Sequence, residues 1–134
     1  MTADPQAAEA LVRRYWALMA SNQFESVSAV LAPDFVLDWP QSGERIHGPA
    51  CYAQMNAEYP AKGAWRFAIN RLIAQGDAVF TEVDVTDGQQ RGRALSCFTI
   101  EQGRITRLVE YWPEAFAAPA QRAHLVERVP PEIG

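Results

Sequence analysis

Residues 65–112 hold four runs of alternating apolar and polar side chains, broken by short glycine-bearing segments, and this pattern leaves few folds open. The runs span 65–74, 78–86, 91–101 and 104–112, and the breaks centre on Gly76, Gly88 and Gly103. Period-two alternation marks a strand with one buried face. Glycine supplies the positive φ that tight hairpins require. Three hairpins in series predict an antiparallel meander.

Two of these strands carry acids on faces shared with large apolar residues. In 78–85, Val79, Thr81, Val83 and Val85 form one face, while Phe80, Glu82 and Asp84 form the other. In 105–112, Glu110 shares a face with Leu108 and Trp112. A sheet that curls these two acidic faces around one cavity brings Glu82, Asp84 and Glu110 together among aromatic walls. That is the composition of a small-molecule site. The same arrangement leaves the β-branched face of 79–85 exposed, which predicts a partner, most simply a homodimer through the sheet.

The N-terminal half reads as helical. Asp4 suits an N-cap and Pro5 the first helical position. Ala8, Leu11, Val12, Tyr15, Trp16, Leu18 and Met19 follow a 3.6-residue period over 5–21. A second helix is expected over 24–31 and ends before Pro33. Residues 35–39 read as a short strand, 40–44 as a turn, and 49–58 as a third helix opened by Pro49. Helices followed by a meander make an α+β pattern. The 134 residues predict a single domain, its core over about 7–116 and a tail over 117–134 whose residues 119–129 suit a short helix.

Net charge is −4, which argues against a nucleic-acid partner and a polybasic membrane anchor. No run reaches the ~18 apolar residues of a membrane span. Met1-Thr2-Ala3-Asp4-Pro5-Gln6 lacks the basic and apolar regions of a signal peptide, so a cytoplasmic location is expected. Cys51 and Cys97 then read as reduced thiols in packing roles. With two histidines and no metal-ligand spacing, no metal site is expected.

The order of elements resembles the NTF2-like superfamily, in its SnoaL-like, polyketide cyclase-like branch. The motifs that carry the resemblance are Arg14-Tyr15-Trp16-Ala17-Leu18, Asp34-Phe35-Val36-Leu37-Asp38-Trp39-Pro40 and His47-Gly48-Pro49-Ala50, with Gly76-Asp77-Ala78-Val79-Phe80 and Gly103-Arg104-Ile105…Glu110-Tyr111-Trp112 in the meander. The resemblance implies a cone in which three N-terminal helices pack on a strongly curved, mostly antiparallel sheet, with the pocket between them. Similarity to ketosteroid isomerase sets its oxyanion-hole tyrosine on Tyr15, its catalytic aspartate on Trp39 and its second oxyanion-hole residue near Ser96. Similarity to limonene-epoxide hydrolase sets its two acids on Asp84 and Glu110 and its intervening arginine on Glu82. Similarity to the SnoaL-type aldol cyclase asks only for one acid in an apolar pocket and implies no cofactor.

The expected function is therefore the binding of a small apolar or aromatic molecule, with cofactor-free acid–base chemistry of isomerase, cyclase or hydrolase type. The candidate catalytic residues are Asp84, Glu110, Tyr15 and His47. The candidate pocket walls are Trp16, Trp39, Tyr52, Met55, Tyr59 and Trp65, with Phe80, Glu82, Phe98, Leu108 and Trp112 on the strands. Two other readings compete. Cross-strand ion pairs with Arg91, Arg93, Arg104 or Arg107 would make the strand acids structural. A non-catalytic ligand-binding or dimerisation module would need no proton donor.

Overall fold

Asp4 opens the first helix as its residue type predicts. Its carboxylate accepts the Gln6 amide at 3.0 Å, and Pro5 takes the first position of α1 (Pro5–Ala20). The computed structural model describes residues 4–132. The readings that fall on Met1–Ala3 and on 133–134 therefore lie outside the described residues. Ala8, Val12, Tyr15, Trp16 and Met19 form the buried stripe of α1. A 3₁₀ helix, Phe24–Val30, follows in place of the expected α-helix and buries Val27 and Val30.

Strand β1 (Leu31–Trp39) begins four residues earlier than expected and runs through Pro33. Proline is tolerated there because the pairing of β1 is irregular between Leu31 and Val36. The segment read as a lead-in to Gly48 is itself a strand, β2 (Glu44–His47), paired antiparallel to β1. Helix α2 (Pro49–Glu58) matches its expected span. The meander consists of β3 (Arg66–Gln75), β4 (Ala78–Thr86), β5 (Arg91–Glu101) and β6 (Arg104–Tyr111). At the β5–β6 turn, Gln102 and Gly103 both take positive φ between the paired residues Glu101 and Arg104. That is the two-residue hairpin geometry matching strand twist.

The six strands form one mixed, unclosed sheet in the order β2-β1-β6-β5-β4-β3. The β1–β6 pairing is parallel and the other four are antiparallel. Thus the architecture is α+β, but the three expected N-terminal helices are two α-helices and a 3₁₀ helix, with a second 3₁₀ helix at Ala120–Leu125. That last helix falls within residues 119–129, where a short helix is expected, and it buries nothing.

The faces of β4 are the reverse of the expected ones. Val79, Thr81, Val83 and Val85 are buried against the helices, and Asp84 points out with half its side chain exposed. The hydrophobic effect favours this choice, since a β-branched face can be dehydrated without leaving carboxylates unpaired. Leu108 of β6, Phe98 of β5 and Val79 of β4 lie in one register row on the inner face, all fully buried. Helix α1 lies over β3 and β4, and α2 over β1 and β2. Cys51 and Cys97 are free and exposed, so neither fills the packing role expected of it.

Candidate functional site

The register row next to Leu108, Phe98 and Val79 places three polar side chains on the inner face: Glu110 of β6, Ser96 of β5 and Thr81 of β4. Each is buried. Thr81 accepts the indole N–H of Trp16 at 3.2 Å, which anchors the α1 aromatic over the sheet. Glu110 is 4% exposed and receives three donors. Trp39 and Trp112 give their indole N–H groups to Oε1, at 3.2 and 3.1 Å, and the Ser96 hydroxyl lies 3.0 Å from Oε2. Burial raises the Glu110 pKa above 4.5, and these three donors hold the rise back.

The two oxygens are not equivalent. An indole N–H can only donate, so Oε1 must accept twice. A hydroxyl can donate or accept, so Oε2 has a partner whether or not it carries a proton. The carboxyl is therefore fully hydrogen-bonded in both protonation states, the condition for a buried acid that exchanges protons without losing a partner.

Above this row the Tyr15 and Tyr52 hydroxyls share a short hydrogen bond, with neither side chain appreciably exposed. Burial raises both phenol pKa values, and the negative charge of Glu110 raises them further. Both are neutral phenols over the physiological range. Tyr15 is fully buried, and of the two tyrosines it is Tyr52 that lines the cavity.

The cavity holds about 1030 Å³. All four tryptophans of the chain line it: Trp16, Trp39, Trp65 and Trp112. Tyr52, Met55 and Tyr59 line it too, as expected from the sequence, and so does Glu110. The remaining expected residues do not. Phe98 and Leu108 are packed in the core below it, and Phe80 and Glu82 lie on the outer face of β4. Asp84 pairs with Arg93 across the hairpin at 2.9 Å, and that arginine holds its carboxyl below the ordinary range. His47 is exposed on β2, apart from the cavity. The three-acid cluster thus reduces to Glu110, because a face reversal removes Glu82 and Asp84 together.

Two positioning residues, Asn22 and Gly92, were not expected from the sequence, and a third, Ser96, entered only by resemblance. Asn22, at positive φ after α1, clamps the backbone of Trp65 twice, at 2.8 and 2.9 Å. A polar residue able to adopt that conformation at a helix end was its one signal. Gly92 leaves room for the Trp112 ring, whose carbons would stand 3.3 Å from an added Cβ. Ser96 was named only by resemblance, although a lone hydroxyl on the Phe98 face of β5 already marks it. Among the described residues no group of three His, Cys, Asp or Glu is placed to hold a metal ion. Likewise, no described helix is long and apolar enough to cross a membrane.

Residues 12–108 match the SnoaL-like domain family. A candidate ketosteroid isomerase from Kribbella flavida DSM 17836 is 37% identical, with 98% of this chain and 96% of that one covered and a TM-score of 0.87. An LEH-like epoxide hydrolase from M. tuberculosis is 26% identical over 81% of this chain and 84% of its own, with a TM-score of 0.65. A candidate SnoaL-like polyketide cyclase from Jannaschia sp. CCS1 shares the fold at 14% identity and a TM-score of 0.71, with 81% of this chain and 86% of that one covered. No curated protein matches the chain.

Proposed function

The chain belongs to the SnoaL-like domain family, and from that premise we propose that it binds a small apolar or aromatic molecule in a cone-shaped pocket and moves a proton on it with Glu110. The observation that supports this reading is the Glu110 carboxyl itself: buried, lining the cavity, and hydrogen-bonded in both protonation states. As the carboxylate it takes a proton on Oε2 while the Ser96 hydroxyl turns from donor to acceptor. Returning that proton to another atom of the same molecule completes an isomerisation or cyclisation without net change to the protein. Tyr52, a neutral phenol backed by Tyr15, suits hydrogen bonding to a developing oxyanion.

The resemblance to ketosteroid isomerase sets its catalytic aspartate on Trp39, which here donates its indole N–H to Glu110 and has no base to offer. Glu110 thus takes the proton-transfer role from the neighbouring strand. Homodimer formation belongs to the same proposal, moved to the outer sheet face around Phe80, Cys97 and Val109, which share one register row. A cytoplasmic location and action without a cofactor belong to it as well.

The test is a panel of β,γ-unsaturated ketones, epoxides and poly-β-ketone esters incubated with wild type and Glu110→Gln. General acid–base catalysis contributes about 10²–10⁴-fold, so a loss of that size with binding retained is expected. Turnover unaffected by Glu110→Gln overturns the assignment. Binding without turnover in either protein leaves the ligand-binding module as the function.

A further inference from the structure

The charges around the cavity are not balanced. Glu110 lies at its inner face with neutral donors alone, two indoles and a hydroxyl. Among the described residues no lysine, arginine or histidine forms an ion pair with it. A buried carboxylate ordinarily has a cationic partner. The other acids of the lining are Glu44 and Glu114, and its two arginines are Arg91 and Arg93. Arg93 is already committed to Asp84 at 2.9 Å and to Glu132 at 3.3 Å, neither of which lines this cavity. Three lining acids therefore face one uncommitted lining cation.

The walls act in the same sense. Four tryptophans and Tyr59 surround the space, and indole is the best of the side chains at attracting a cation to its ring face. Trp39 and Trp112 turn their positive N–H edges toward Glu110, and the rest of each ring is left to line the cavity. A cavity with π-rich walls, an excess of acids in its lining and a buried carboxyl lacking a protein counter-ion has the electrostatics of a cation receptor.

We infer that the ligand is a small organic cation, an amine or quaternary ammonium bearing apolar substituents, with its charge held between Glu110 and the tryptophan walls and its substituents against Met55 and Phe67. This inference rests on the reading of Glu110 as the working group of the pocket and adds a positive charge to the apolar or aromatic molecule it meets.

The four tryptophans report occupancy by their own fluorescence. Benzyltrimethylammonium is titrated against its neutral carbon isostere, neopentylbenzene, into the full chain. The expected result is saturable quenching or enhancement with the cation at least tenfold tighter. In Glu110→Gln that preference falls below threefold, while the isostere keeps its affinity within about twofold. Trp65→Leu, at the half-buried rim, weakens the cation more than the isostere and keeps the inference testable if the Glu110 variant misfolds. Equal or tighter binding of the isostere to wild type overturns the inference, as does a preference that survives Glu110→Gln, or no response to either probe. If the isostere binds equally and turnover of neutral compounds still depends on Glu110, only the cation inference fails. If turnover is also insensitive to Glu110, the proposed function fails with it.

Discussion

The Ser96 hydroxyl and the Glu110 carboxylate, directly opposite each other on β5 and β6, are 3.0 Å apart with both side chains buried. This hydroxyl is the partner that lets Oε2 change protonation state without becoming an unsatisfied buried atom. Ser96→Ala removes a donor that holds the Glu110 pKa down, so the pKa moves further up. The acid limb of any Glu110-dependent pH–rate profile then shifts to higher pH, whereas a purely structural serine would lower stability and leave the profile in place.

On the outer face the same physics runs in the opposite direction. Asp38 accepts Arg45 and Arg107, each at 2.6 Å, and these bonds lower its pKa from 3.8 to about 2. A depressed folded-state pKa gives stability that is present above the unfolded value and lost as pH falls through the folded one. Asp38→Asn is therefore expected to destabilise at pH 7 and to cost progressively less between pH 4 and pH 2. Denaturant midpoints across that range decide it.

Glu110 has the opposite linkage. Its folded pKa is raised, so the unfolded chain gives up this proton first, and the stability Glu110 contributes is lost as pH rises from 4.5 through the folded value. Glu110→Gln removes that dependence. The variant is expected to gain on wild type in denaturant midpoint as pH is raised from 4 to 7; a midpoint difference constant over this range contradicts a raised pKa.

Gly92 carries a specific prediction because a Cβ there meets the Trp112 ring at 3.3 Å. The Trp112 amide is also tied to Gln41 at 2.5 Å, so the residue has little freedom to retreat. Gly92→Val is expected to push the indole off Glu110 Oε1, at a cost of about 1 kcal/mol for the lost hydrogen bond and more for the ring packing. A red-shifted tryptophan emission with a reduced ligand response is the readout.

Asn22 clamps Trp65 through both its amide oxygen and its amide nitrogen. Asn22→Ala leaves the Trp65 backbone without those partners and frees a pocket wall. Affinity for a pocket ligand falls, while turnover at saturation is largely kept, because Glu110 is untouched. A fall in kcat with KM unchanged would contradict this division of roles.

The meander was legible because its glycines and its period-two alternation point to the same hairpins. Glu110 was legible because its strand has Leu108 on the same face and Arg107 on the other, and Arg107 pairs with Asp38 outside. The orientation of β4 was not, since Phe80 with two acids competes with a β-branched face, and alternation alone does not say which is buried. Arg93, opposite Asp84 in the neighbouring strand, was the physical clue to the outward choice. The 3₁₀ form of Phe24–Val30 and the short strand Glu44–His47 were hidden for a different reason: both are too short for periodicity to register.

The proposed function stands on proton exchange by Glu110 inside the pocket. Its most direct test is a carboxyl-carbon NMR titration of protein labelled at the glutamate side-chain carbonyl, with Glu110 assigned by its loss in Glu110→Gln. One resonance is expected to titrate above the ordinary 4.5 and to move higher still in Ser96→Ala. A Glu110 resonance titrating at or below 4.5, unmoved by Ser96→Ala, would contradict it.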